Sequence, residues 1–512
     1  MLTRRDCALE QIAGAQHTLM STITNLYGRA PALLTDLYQL TMAYAHWHNG
    51  TGQREAVFHL FFRSAPFDNG FAIACGMETA LDYITELSFD RDDIAYLATL
   101  EDRSGGRLFP DGFLDYLHDF KFSGAVDAVA EGTAVFPHQP MLRVRAPILE
   151  AQLLETALLN LTNFPTLVAT KAARMAHAAG SDTVVDFGLR KAQGIDGGVS
   201  AARAAYIGGC AGTSNVLAGR LFNIPVFGTH AHSLVMAFES ELDAFKAYAD
   251  ALPDNCVFLV DTYSTRGGVE NAIAAGHKLR AHGHELAGIR LDSGDLADLS
   301  KMARQMLDDA GFTETRIAAS SSLDEHAIAD NKAAGAPIVF WGVGTKLITA
   351  QPDAALDGVY KLAAIKNPGE GWSYRMKLSD SPGKNSWPGL HQVRRFTDAQ
   401  GRPTADLLFD EAASQTAWAA GHNNVVTFDP KASHEDLLQP AIRAGKRVRN
   451  SPSLADSQRH ARSQFQHFAV LPDYPRLVDR YLEQSTRDLH EWLLSQIGAN
   501  PENVDKTETH EP

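Results

Sequence analysis

Short apolar runs that end in polar residues recur through the middle of the chain, and this recurrence sets the expected fold. Thr183-Val184-Val185-Asp186 runs into Phe187-Gly188-Leu189-Arg190, and Pro225-Val226-Phe227 into Gly228-Thr229-His230-Ala231-His232-Ser233. Val257-Phe258-Leu259-Val260 leads to Asp261-Thr262-Tyr263, and residues 286–289 lead to Arg290-Leu291-Asp292-Ser293-Gly294-Asp295. Residues 316–319 precede Ser320-Ser321-Ser322, and Ile338-Val339-Phe340 precedes Trp341-Gly342-Val343-Gly344-Thr345. These runs lack the alternation of a half-buried strand, so both faces are predicted to be covered, as in a parallel sheet. Segments of helical period, such as 239–251 and 295–310, lie between them. A spacing of roughly thirty residues is that of a βα unit. Right-handed crossovers send all the strand C-termini to one end. The polar tips are therefore predicted to converge on one mouth, where barrel active sites lie.

The flanks have a different pattern. Residues 32–47 read as a helix with Thr35 or Asp36 as cap and Tyr38 in its first turn. Val57-Phe58-His59-Leu60-Phe61-Phe62 reads as a strand, and residues 121–148 as short strands split by Glu131-Gly132 and His138-Gln139-Pro140. A long helical pattern over 149–178 is predicted to break near Phe164-Pro165. Strand-like runs return at 358–362, 373–377 and 392–396 and are expected to complete the earlier β layer. Residues 434–497 read as helical, with Arg443, Lys446, Arg447 and Arg449 as a solvated basic face. The predicted organisation is an extension at 1–30, an N-terminal α/β domain at 31–178 and an α/β barrel carrying the site at 179–350. A returning β segment follows at 351–432, then a helical tail at 433–512 with a disordered end.

Composition narrows the functions. At 512 residues and a net charge of −15 the chain is a poor phosphate-backbone binder, so no nucleic-acid partner is expected. Cys7, Cys75, Cys210 and Cys256 are widely spaced, which suits unpaired thiols in the cytoplasm. No apolar run approaches the length of a membrane span.

Several tips carry chemistry. Gly342-Val343-Gly344-Thr345 lets backbone amides approach a phosphate ahead of an apolar run. Arg190 and Arg290 stand at different tips and suit a carboxylate, phosphate or diphosphate; each could instead pair structurally with Asp186 or Asp292. Asp292 and Asp295 could bind ribose hydroxyls or organise Mg²⁺ with substrate phosphates, Asp292 being the metal candidate. Walker A, G-x-S-x-G and H-E-x-x-H patterns are absent.

Together these residues resemble nicotinate phosphoribosyltransferase. The resemblance rests on Leu34-Thr35-Asp36-Leu37-Tyr38-Gln39, Phe187-Gly188-Leu189-Arg190-Lys191-Ala192-Gln193-Gly194 and residues 205–215. Gly228-Thr229-His230-Ala231-His232-Ser233, Arg290-Leu291-Asp292-Ser293-Gly294-Asp295 and Gly342-Val343-Gly344-Thr345 continue it in the family's order. It implies an irregular α/β barrel of the type II phosphoribosyltransferases, with an open β-sandwich-like α/β domain built from both flanks. It also implies a homodimer with sites at the subunit interface. The implied reaction is the first step of NAD salvage: nicotinate and phosphoribosyl pyrophosphate give nicotinate mononucleotide and pyrophosphate, coupled to ATP hydrolysis with Mg²⁺. His232 matches the histidine that is transiently phosphorylated, and His230 falls at a variable position. Tyr38, Thr229 and Arg290 match nicotinate contacts, Tyr38 coming from the partner subunit. Thr345 matches a phosphoribosyl-phosphate contact and shares its loop with Gly342 and Gly344. Arg190, Asp292, Gly294 and Ser320 complete the positions expected to hold phosphoribosyl pyrophosphate. Lys191 replaces an expected arginine, keeping charge but losing bidentate geometry. Nicotinamide phosphoribosyltransferase, quinolinate phosphoribosyltransferase and a non-catalytic pyridine-nucleotide sensor are the alternatives.

Overall fold

The computed structural model describes residues 22–377, 386–412, 432–469 and 479–482. Its centre is a ring of parallel strands in chain order: Thr183–Asp186, Gly212–Thr213, Val257–Leu259, Gly288–Leu291, Arg316–Ser320 and Phe340–Val343. The last pairs with the first, from Phe340 on Thr183 to Val343 on Asp186, so the sheet curls back on itself. Residues 225–230 fill the remaining gap. Phe227 N donates to Thr213 O and Thr213 N to Pro225 O, each at 3.0 Å. On the other side of the gap the partner is a side chain: Leu259 N donates to His230 Nε2 at 3.1 Å. An imidazole takes the place of a backbone carbonyl at this seam, which makes the barrel irregular.

The barrel core is apolar, with Phe258, Trp341 and Val343 fully buried. Helices Gly194–Ile207, Glu241–Ala251, Thr265–Ala281, Leu296–Asp309 and Glu325–Ala333 run between the strands. Several start at an acid or hydroxyl that accepts a first-turn amide, as Asp295 does from Asp298 N at 3.0 Å. No helix among the described residues is long and apolar enough to cross a membrane.

Beside the barrel lies a seven-stranded antiparallel sheet drawn from both flanks. Glu55–Phe62 lies inside it, with Leu142–Pro147 on one side and Gly358–Lys366 on the other. Phe58 and Tyr360 stack across that second junction with centroids 4.8 Å apart. The sequence expectation for 351–432 holds only in part. Gly358–Lys366 and Ser373–Tyr374 join this layer, but His391–Thr397 and Pro403–Asp410 form a separate four-stranded sheet with His434–Asp436 and Asp479–Leu482. Residues 1–21, 470–478 and 483–512, which carry much of the expected extension and tail, lie outside the described residues.

Two further expectations are corrected. The tail predicted as helical from 433 begins with strands His434–Asp436, Gln439–Arg443 and Lys446–Arg447, and among the described residues only Leu454–Ala469 is helical in it. Gln439–Arg443 adds to the free edge of Ala125–Ala128 and buries Ala441 and Ile442. A partner edge overrides local helical propensity. The basic run is also not a solvated face: Arg447 pairs with Glu78, Arg443 with Asp127, and Arg449 with Glu78 at 3.6 Å. The long helical pattern breaks at Leu154, between Ile148–Leu153 and Glu155–Ala179, and Pro165 sits inside the second helix. Proline cannot donate to the carbonyl four residues earlier. Gly76, at φ +88°, packs so closely on that Leu161 carbonyl that any Cβ there would lie 2.0 Å from the oxygen.

Candidate active site

The strand ends meet as predicted at a cavity of about 510 Å³. Arg190, Thr229, His232, Arg290, Asp292, Ser320, Gly342, Gly344 and Thr345 all line it. Tyr38 and Gly294 do not. Tyr38 is 48% exposed on helix Leu37–His48 of the flanking domain. Gly294 makes a turn at φ +78°, a conformation that favours glycine.

Arg290 lies within strand Gly288–Leu291, so its guanidinium is aimed by the sheet itself. Its Nε donates to Ser320 Oγ at 2.8 Å, one terminal nitrogen to Thr229 Oγ1 at 2.9 Å and the other to Asp292 Oδ1 at 3.1 Å. Ser320 Oγ also donates to Asp292 Oδ1. Three strand ends are thus tied to one cation that retains donors for a ligand. Partial burial pushes the Asp292 carboxyl up, but the Ser320 hydrogen bond and the Arg290 charge prevail and hold it below the usual range. The Phe187 ring faces the same guanidinium, with Arg290 Cζ 5.8 Å from its centroid. Gly342 allows that ring to close in, since a Cβ there would lie 2.6 Å from it.

Arg190 and Lys191 are exposed on a short turn, Leu189–Lys191, with no side-chain hydrogen bond or ion pair among the described residues. The alternative pairing of Arg190 with Asp186 is not seen. Asp186 instead accepts from Thr213 Oγ1 at 2.7 Å and Gly188 N at 2.8 Å, and burial raises its pKa. The first turn of helix Thr345–Ile348 leaves amides without helical partners beside these cations.

The two histidines of the Gly228–Ser233 run have different fates. His230 is 7% exposed and packed on Tyr248, Phe245 and Phe258. Burial lowers its pKa, and the bond from Leu259 N requires a neutral ring with Nε2 as acceptor. His232 opens a short helix at the cavity wall with Nδ1 3.1 Å from Thr262 Oγ1 and Nε2 3.8 Å from Asp292 Oδ2. The seam role of His230 had no signal in the sequence. Asp261 was another unassigned tip residue: its Oδ2 accepts from Asp292 N at 3.1 Å and Ser293 Oγ at 2.5 Å. Asp261 Oδ1 is buried without a partner.

No cluster of three or more metal-ligating side chains occurs among the described residues. Asp292 lines the cavity, and its Oδ2, 3.8 Å from His232 Nε2, fits a magnesium ion whose other ligands are water and substrate phosphates.

Comparison with known proteins agrees with this geometry. The nicotinate phosphoribosyltransferase (NAPRTase) N-terminal domain profile matches residues 33–163, the family profile 183–403 and the C-terminal domain profile 390–479. Nicotinate phosphoribosyltransferase of Bacillus subtilis is 44% identical, over 84% of this chain and 87% of its own length. The chain belongs to the nicotinate phosphoribosyltransferase family. The human member is 34% identical over 88% of this chain and 93% of its own length. The crystal structure of human nicotinic acid phosphoribosyltransferase superposes with a TM-score of 0.78, at 30% identity, covering 90% of this chain and all of that one. The nicotinate-nucleotide pyrophosphorylase of Pyrococcus furiosus shares the fold at 20% identity and a TM-score of 0.66, covering 89% of this chain and 99% of that one. The type II phosphoribosyltransferase fold expected from the sequence is the fold observed.

Proposed function

We propose that the chain transfers the phosphoribosyl group of phosphoribosyl pyrophosphate to nicotinate, forming nicotinate mononucleotide and pyrophosphate, coupled to ATP hydrolysis through a transient phosphohistidine at His232. The observation that carries this reading is the Arg290–Thr229–Ser320–Asp292 network, which shares one cavity with the unpaired Arg190 and Lys191 and the Gly342–Thr345 loop. Arg290 and Thr229 suit the carboxylate of nicotinate, and Phe187 offers its ring a flat apolar face. The pyridine nitrogen attacks ribose C1 as the C1–O bond to pyrophosphate breaks, so no protein nucleophile is needed for transfer. Arg190, Lys191 and the loop amides align the substrate and neutralise the departing anion. A magnesium ion held at Asp292 would neutralise further diphosphate charge.

Phosphorylation uses a separate atom. With Nδ1–H donating to Thr262 Oγ1, the lone pair of His232 Nε2 faces the cavity and attacks the γ-phosphorus of ATP, and ADP leaves. The phosphoryl group then passes to water. Its charge favours the loop arrangement that grips substrate, each tenfold gain requiring about 1.4 kcal/mol of differential binding.

We also infer a homodimer. Tyr38 stands exposed together with Leu37 and Met42 on one helix, while Met236 stands exposed at the end of helix His232–Met236 and Tyr263 on the loop after strand Val257–Leu259. An isologous pairing that brings the helix of one subunit to the mouth of the other would place Tyr38 over the bound pyridine. Buried free thiols at Cys75, Cys210 and Cys256 favour a cytoplasmic setting.

The test is incubation with γ-labelled ATP, nicotinate and phosphoribosyl pyrophosphate. An acid-labile phosphoryl group on the protein and ATP-stimulated nicotinate mononucleotide formation are expected. His232→Ala should lose labelling and ATP stimulation but keep slow, uncoupled transfer. Equal ATP coupling in that variant would reject His232, and faster turnover of nicotinamide than of nicotinate would favour the amide-using alternative. Absence of any turnover would favour a sensor.

A further inference from the structure

Two loops that line the cavity are tied together by an ion pair that itself lies outside the lining. The first follows strand Arg316–Ser320 and carries Ser321 at φ +89° and Ser322 at φ +50°. L side chains hold such backbone only where the surroundings impose it. This loop is fixed at its start by Ser320, which is bonded to Arg290 and Asp292. It is fixed at its end by Asp324. Asp324 Oδ1 accepts from Ala327 N at 2.8 Å and caps helix Glu325–Ala333, while Oδ2 accepts from Lys346 Nζ at 2.5 Å. Lys346 follows directly on Thr345, in the short helix that opens at the end of the second loop.

The helix behind the first loop cannot shift to absorb slack. Glu325 in its first turn binds Lys171 Nζ at 2.7 Å and Arg174 Nε at 2.8 Å, both on the long helix Glu155–Ala179. The sheet sets the spacing of the two loops at their roots, where Ser320 pairs with Gly342, and beyond the roots the bridge from Lys346 to Asp324 ties their far ends together. A phosphorylated sugar gripped by both loops at once is sensitive to that spacing, because small misplacements of aligned groups are costly. The bridge also cancels the Lys346 charge, which leaves Arg190 and Lys191 as the open cations of the mouth.

We propose that Asp324 is a positioning residue: through Lys346 it sets the Gly342–Thr345 loop against the Ser320–Ser322 loop and so governs affinity for phosphoribosyl pyrophosphate without touching it. This rests on the assignment of Gly342–Thr345 as a phosphate-binding loop. Asp324→Asn is the discriminating variant, because asparagine caps a helix about as well as aspartate but cannot form the ion pair.

KM for phosphoribosyl pyrophosphate should rise about fivefold in Asp324→Asn, with the unfolding midpoint nearly unchanged, since partly exposed ion pairs contribute little to stability. kcat and KM for nicotinate should stay close to wild type. Lys346→Met should match it, the double variant should be no worse than either single one, and Lys346→Arg should restore most of the affinity. Thr345→Val serves as the control for the loop assignment. If Thr345→Val raises that KM and Asp324→Asn does not, the positioning role is overturned while the phosphate assignment stands. Additive losses in the double variant, or a parallel fall in kcat and unfolding midpoint, also overturn it. If Thr345→Val leaves the KM unchanged, the phosphate assignment fails and the inference fails with it.

Discussion

The mouth of the barrel and the layer beneath helix Leu454–Ala469 use the same residue types to opposite ends. In the layer, Arg395 is fully buried and bonded on all three of its nitrogens. It donates to both oxygens of Asp406 at 2.8 and 2.7 Å, to Gln464 Oε1 at 3.0 Å and to Ala134 O at 2.9 Å. Asp406, also buried, accepts a further bond from Gln139 Nε2 at 2.9 Å. At the mouth, Arg290 keeps donors in reserve, Arg190 and Lys191 have no side-chain partner among the described residues, and Asp261 Oδ1 has none either. Residue type does not separate scaffold from site: the scaffold arginine is held by neighbours on each of its nitrogens, whereas the arginine and lysine of the mouth keep donors free. His230 and His232 repeat the contrast within one turn of chain. One ring is consumed by the seam and the other is left at the wall.

The largest expected effect breaks the closed layer. Arg395→Ala strands Asp406 as an unpaired buried carboxylate and should lower unfolding free energy by about 3–5 kcal/mol in denaturant titrations. A loss below about 1 kcal/mol would show that the layer is not saturated after all. Arg290→Ala is the counterpart at the mouth. It should cut kcat/KM for nicotinate by about a hundredfold, the scale of lost charge-assisted hydrogen bonds, while stability changes far less than in Arg395→Ala.

A third test uses acid. His59 and His391 stack with centroids 4.8 Å apart, and His391 N donates to His59 Nε2 at 3.2 Å. Burial lowers His391 to about 4 and His59 well below its ordinary value. The folded state therefore binds fewer protons than the unfolded chain once the pH falls below the ordinary histidine range. Stability should be full above about pH 6.5 and lost progressively toward pH 4, by about 2 kcal/mol between pH 7 and 5 for one such ring. Unfolding titrations at those two pH values measure it, and His391→Gln should flatten the slope. The smallest effect concerns Gly294. Gly294→Ala should cost about 1 kcal/mol through its positive φ, yet leave KM for phosphoribosyl pyrophosphate nearly unchanged, because the turn lies outside the cavity wall. A large rise in that KM would return Gly294 to the site.

Much of this was legible in the letters. The repeated apolar run with a polar tip marked the barrel strands, and strand handedness alone required the tips to meet. That reasoning puts Arg190, Thr229, Arg290, Ser320 and Thr345 around one cavity, where the structure has them. Periodicity and turn residues are local properties, so they survive without tertiary information. What failed was pairing between distant segments. Residues 434–447 look helical alone, and they become strands because Ala125–Ala128 presents an unfilled edge and because Glu78 and Asp127 wait for their arginines. His230 closes the barrel only because Leu259 N lies opposite it. Tyr38 sits in a recognisable motif, but only the packing of its helix shows that it stands exposed outside the wall of its own cavity. The sequence determined which groups were available, and the tertiary structure decided which of them were already spent, because hydrogen bonds and ion pairs are completed by neighbours far away in the chain.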